Sequence, residues 1–134
     1  MDGRDAAIFC YLEEVDVESG RTNYVTEGVL RVSHRETVAD VTQASRIGAF
    51  DRVKRSFSEE DMSLWPQEEF MNVNFVLEPI AYHIPGGNVI RLVFAGGDKD
   101  NFFIDNIDNL ASKWRIDTSK SQMSLPIADE KGSI

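Results

Sequence analysis

The chain has 134 residues, 42% of them hydrophobic and 10% aromatic, which suits one domain around a single core and excludes wholesale disorder. Its formal charge of −9 disfavours nonspecific binding to nucleic acid or to an anionic membrane surface. A single cysteine, Cys10, excludes an internal disulfide and a thiolate zinc cluster, and no apolar run approaches the roughly 18 residues of a membrane-crossing helix.

Two strands are expected first, Ala6 to Val17 and Thr22 to Val32, rich in Val, Tyr, Phe and Thr and joined by the turn Glu18-Ser19-Gly20-Arg21. The first is apolar on both faces, as a central strand is. The second alternates imperfectly: Tyr24, Thr26, Gly28, Leu30 and Val32 share one face, Val25, Glu27, Val29, Arg31 and Ser33 the other. Thr37-Val38-Ala39-Asp40 fits a helix-capping pattern, and Val38, Val41, Ile47, Phe50, Val53 and Phe57 form an apolar stripe, so a main helix is expected from Thr37 to about Ser56. Gly48 costs that helix about 1 kcal/mol relative to Ala. Asn72 to Leu77 and Asn88 to Phe94 read as further strands, Ala81, Tyr82 and Ile84 as a short one between them, and Pro85-Gly86-Gly87 and Gly96-Gly97-Asp98 as turns. Ile107, Leu110, Ala111 and Trp114 have helical spacing and predict a C-terminal helix. The reading is an α+β domain over 1–118, a mixed sheet packed on one main helix with an additional C-terminal helix, followed by a flexible tail over 119–134.

Catalytic signatures are absent from the sequence. His34 and His83 are the only histidines and neither has a second ligand at metal spacing, so no metal and no cofactor are expected. Asp98-Lys99-Asp100-Asn101 opens like a calcium loop, but Phe103 replaces the required glycine and Asn109 the bidentate glutamate. No nucleophile elbow or phosphate-binding glycine loop occurs. Between Arg31 and Arg55 six basic residues stand against three acidic ones, a local +3 that leaves −12 on the remainder. Arg46, Arg52, Lys54 and Arg55 are therefore candidate contacts for a partner protein with an acidic docking face, and Trp65, beside Pro66, is a candidate contact anchor.

Val29-Leu30-Arg31-Val32-Ser33-His34-Arg35-Glu36-Thr37-Val38-Ala39-Asp40-Val41 resembles ubiquitin-like domains, in which a second strand leads through a polar turn into a Thr-capped helix. Ile90-Arg91-Leu92-Val93-Phe94-Ala95-Gly96-Gly97 is similar to their last strand. The resemblance implies a β-grasp fold and a role in protein recognition. A rival resemblance, to pleckstrin-homology-like domains, rests on Val89 to Phe94, Asn101 to Ile104 and the closing Trp114 segment, and implies binding of a peptide or phosphoinositide.

The functional expectation is a non-catalytic protein-interaction module, an adaptor or a subunit of a larger assembly, with an enzyme of unrecognised class as the remaining alternative. Nucleic acid and stable membrane insertion are not expected. Met1-Asp2-Gly3-Arg4-Asp5 lacks the basic start and apolar stretch of a secretion signal, so the expected location is the cytoplasm.

Overall fold

The structure, a computed structural model, describes residues 5–37, 46–47, 50–51, 55–66, 69–74, 76–102 and 115–128. Its centre is a three-stranded antiparallel sheet of β1 (Ala7–Val15), β2 (Thr22–Arg31) and β5 (Val89–Ala95), in the order β2-β1-β5. β1 lies in the middle, as its two apolar faces require. Ile8, Cys10 and Leu12 are buried on one face and Phe9 on the other, its ring 4.9 Å from that of Phe102.

The hairpin turn is closed by Asp16. Its carboxylate accepts from the amides of Glu18 (2.9 Å) and Ser19 (3.1 Å), while the Gly20 amide donates to the Asp16 carbonyl at 2.8 Å. Gly20 sits at φ 71°, which a glycine adopts without strain.

The imperfect alternation of β2 has a physical cause. Ile8 pairs with Leu30, Cys10 with Gly28 and Leu12 with Thr26, but Glu13 then pairs with Tyr24. Val25 is the extra residue of a β-bulge, which is why Val25 and Thr26 are both buried although they are adjacent.

Beyond β2 the chain enters a short 3-10 turn, Val32–His34, in which Val32 and Ser33 are fully buried. Asp5 fixes this corner. Its carboxylate accepts from Arg31 Nε (2.7 Å), the Ser33 amide (2.9 Å), the Ser33 hydroxyl (3.0 Å) and the Ala6 amide (2.9 Å). Arg35 clamps the next segment, donating to the Ser63 carbonyl and to Ser63 Oγ. Ala6, Ile8 and Val32 form a buried cluster against which Trp65, Met71 and Val73 pack.

The expected α+β architecture is corrected. No α-helix occurs among the described residues, whose only helical turns are 3-10 segments of three residues, and the fold there is nearly all-β. The main helix is overturned where it was to continue past Ser45: Arg46–Ile47 (β3) and Phe50–Asp51 (β4) pair antiparallel, Arg46 with Asp51 and Ile47 with Phe50. A stripe of Val, Ile and Phe at three- and four-residue spacing also satisfies short strands, and Gly48 penalises the helix that would join them. The helix start, Val38 to Ser45, and the C-terminal helix through Trp114 lie outside the described residues. Asn72 to Leu77 and the stretch Ala81 to Ile84 form no strand among the described residues, although Glu78 donates its amide to the Glu27 carbonyl at 2.8 Å and thereby meets the edge of β2.

Candidate docking surface

One face of the sheet floors a broad trough. The direct pairs Cys10–Phe94 and Leu12–Leu92 put four apolar side chains side by side, with Ile8 beyond them on β1. Residues 69–74 and 76–84, together with 115–117 and 120–128, form its walls, and the volume of this half-open trough is about 1790 Å³. Floor and walls both leave apolar side chains open to solvent: Ile90 and Phe94 of β5 are 40% and 38% exposed, and Ile80 and Phe70 of the walls are 51% and 64% exposed. Arg115 stacks over the Phe70 ring at 5.6 Å, a cation–π contact that ties the two walls together.

A polar cluster closes one end of the sheet. Glu14, directly paired with Ile90 on β5 and with Asn23 on β2, is buried. Its carboxylate accepts from Asn23 Nδ2 at 3.3 Å, from the Tyr82 hydroxyl and from Asn88 Nδ2. The donors stabilise the ionised form, Tyr82 most and Asn88 next, and hold the carboxyl below its ordinary value against the opposing effect of burial. The same contact raises the Tyr82 phenol. On the opposite face Tyr11 donates to Asp98 at 2.8 Å; burial first, and then that carboxylate, push the phenol up to about 12. Asp98 also accepts from the amides of Asp100 and Asn101, so the segment that opens like a calcium loop is a turn stapled to β1. Among the described residues no group of three or more His, Cys, Asp or Glu side chains could hold a metal ion.

Of the residues singled out from sequence, Arg46 lies in β3, and Arg52 and Lys54 fall outside the described residues. Arg55 is half-buried and donates to the Asn74 carbonyl, so it serves the wall of the trough. Trp65 is half-buried against Ala6, Ile8 and Val32 and belongs with the core. Glu14, Tyr82 and Asn88 went unnoticed in the sequence. A signal existed: in β1 every second residue from Ile8 to Leu12 is apolar and inward, and Glu14 continues that series as an acid.

A family model described as the X-Pro dipeptidyl-peptidase C-terminal non-catalytic domain matches residues 1–110. The chain belongs to this family. Two curated relatives, a Mycobacterium bovis protein and a Mycobacterium tuberculosis protein that are both named as serine esterases, are each 32% identical over 128 residues, covering 92% of this chain and 19% of the relative. The chain thus spans about a fifth of the length of the curated relatives it matches. No solved structure matches it. Membership of the X-Pro dipeptidyl-peptidase C-terminal domain family corrects the ubiquitin-like, β-grasp resemblance: a strand, a polar turn and a Thr-x-x-Asp cap are generic local features, and here the strand belongs to an antiparallel sheet and leads into a 3-10 turn, Val32–His34. No helix among the described residues is long and apolar enough to cross a membrane.

Proposed function

We propose that this chain is a non-catalytic β-domain that acts by docking on a hydrolase domain of the serine-esterase class, in the cytoplasm, where its single thiol stays reduced. The observation that carries this reading is the open trough face, where Ile90 and Phe94 extend an apolar floor into solvent. Apolar patches of this kind mark interaction surfaces. Family membership supports the non-catalytic part, because the family is described by that word, and the names of the two mycobacterial relatives supply the chemistry of the partner. The basic stretch with Arg46, Arg52 and Lys54 would meet an acidic rim on that partner and speed encounter.

The test is a chimera of the Mycobacterium tuberculosis relative in which its matching fifth is replaced by this chain, compared with the same relative lacking that fifth. A chimera that is soluble and hydrolyses a p-nitrophenyl ester, beside a truncated form that aggregates or is inactive, is the expected result. A chimera no better than the truncated form would remove the docking role, and ester hydrolysis by the isolated chain would remove the non-catalytic one. Arg52→Glu with Lys54→Glu, measured against the separately expressed hydrolase, is expected to slow association and flatten its salt dependence.

A further inference from the structure

The segment between Glu78 and β5 is held to the sheet by its main chain at Glu78 and, beyond that, by two side chains. At the first end the Thr26 hydroxyl donates to the Glu78 carbonyl at 2.7 Å and the Glu78 amide donates to the Glu27 carbonyl at 2.8 Å. Tyr82, midway along the segment, and Asn88, at its far end, donate to the buried Glu14 carboxylate. Among the described residues no backbone hydrogen bond joins residues 79–84 to any strand, and the turn bond from the Asn88 amide to the Pro85 carbonyl, at 3.2 Å, is internal to the segment. Side-chain packing adds little, since Ile80 and Tyr82 are 51% and 41% exposed. The strands beneath are joined along their length by backbone ladders, broken between β1 and β2 only by the bulge at Val25. Two scales of stability therefore sit one on the other: a segment that a few side-chain hydrogen bonds keep down, and a sheet that a full ladder keeps together.

We propose that residues 79–87 form a strap latched by Glu14, which lifts from the sheet as a unit about Glu78 and uncovers the trough floor while β1, β2 and β5 stay paired. Ile80, Tyr82 and Ile84 line the trough together with Leu12, Ile90 and Leu92, so lifting them bares that part of the floor. The latch has the chemistry for the task. A buried carboxylate with three neutral donors and no cation within ion-pairing distance among the described residues is well satisfied when all three are present, and loses much of that satisfaction when one leaves. The strap is independent of the docking reading, because it rests on this chain's own contacts.

Cys10 pairs with Gly28 beneath Val76 and Leu77, outside the strap, and so reports opening of the sheet itself and not of residues 79–87. The experiment follows its labelling by a disulfide reagent, and cleavage by chymotrypsin after position 82, in the wild type and in Tyr82→Phe, which keeps the cleavage site and loses the hydroxyl. Cleavage is expected to rise roughly tenfold or more in Tyr82→Phe with little dependence on low denaturant, while Cys10 labelling keeps the steep denaturant dependence of the sheet and rises only as far as the lost hydrogen bond lowers global stability. Asn88→Ala, which frees the other carboxylate oxygen, is expected to do the same and serves if Tyr82→Phe is poorly folded. Unchanged rates in both variants would overturn the strap. So would cleavage that carries the same steep denaturant dependence as Cys10 labelling, the signature of complete unfolding.

Discussion

A Cβ on Gly28 would stand 2.9 Å from the carbonyl oxygen of Val76 and 3.1 Å from Leu77 Cδ2. Gly28 is the position in β2 where the chain segment leading to the strap crosses the sheet at backbone contact, and only a residue without a side chain lets it pass. Gly28→Ala is therefore expected to destabilise the protein by roughly 1–3 kcal/mol, because a backbone oxygen cannot yield as a flexible side chain can. Equilibrium denaturation by urea checks this. A midpoint equal to that of the wild type would show that the crossing segment shifts freely.

Trp65 is expected to act on stability and not on recognition. It is half-buried against Ala6, Ile8 and Val32, so Trp65→Ala should cost about 3 kcal/mol, the lower end for truncating a tryptophan. The check pairs a denaturation curve with the association rate toward the hydrolase. An unchanged curve with slower association would return Trp65 to the contact surface.

Asp5 supplies the acceptor for the buried amide and hydroxyl of Ser33. Burial raises its carboxyl, and the hydrogen bonds from Arg31, from the amide and hydroxyl of Ser33 and from the Ala6 amide outweigh burial, leaving it below the ordinary value of 3.8. Asp5→Ala leaves the Ser33 donors, which are fully enclosed, without their acceptor, at an expected cost of about 1–3 kcal/mol. Asp5→Asn, which keeps one acceptor oxygen, should lie between the two. A ranking in which the Ala variant is the more stable of the pair contradicts the role assigned to the carboxylate.

Acid should loosen the latch. Glu14 is held below the ordinary glutamate value of 4.5 by Tyr82, then Asn88, with Asn23 and the more distant charge of Arg21 adding to them. A carboxyl whose folded value lies below its unfolded one contributes stability that is complete above the unfolded value and is lost as the pH falls through the folded one. Glu14→Gln should therefore be less stable than the wild type near pH 7. Its melting temperature should also fall less steeply than that of the wild type between roughly pH 5 and pH 3. Parallel melting profiles for the two proteins would exclude Glu14 as a titrating contributor.

What the sequence disclosed follows the range of the interactions. The β1–β2 hairpin and β5 were legible because alternating Val, Ile, Phe and Tyr between turn residues is a local signal, and β1 announced its central place by being apolar on both faces. The stretch Arg46 to Asp51 was misread because Ile47 and Phe50 fit a helical stripe as well as a two-residue ladder, and only pairing across the chain decides between them. Arg55 reads from the sequence as a candidate partner contact, yet its guanidinium reaches the carbonyl of Asn74, 19 positions on, which no local pattern encodes. The Glu14 cluster is the extreme case. Its donors lie 9, 68 and 74 positions away, so composition and spacing carry no trace of it beyond one acid in an apolar series.

The bulge at Val25 has a consequence in counting. Residues paired directly across an antiparallel ladder point to the same face, so even-numbered positions of β1 meet even-numbered positions of β2 from Leu30 down to Thr26. Past Val25 the parity changes, and Glu14 meets Asn23. In an unbulged ladder of the same residues Glu14 would stand opposite Tyr24, whose bulky ring would take the place from which Asn23 donates its hydrogen bond. Deleting Val25 alone would make the ladder regular and leave Leu12 opposite Thr26 and Glu14 opposite Asn23. Deleting a second residue from this half of β2 would exchange inward and outward side chains at the Glu14 end while leaving the Ile8 to Leu12 pairs as they are. In relatives of this domain, a β2 one residue shorter at the bulge should therefore be tolerated where one two residues shorter is not.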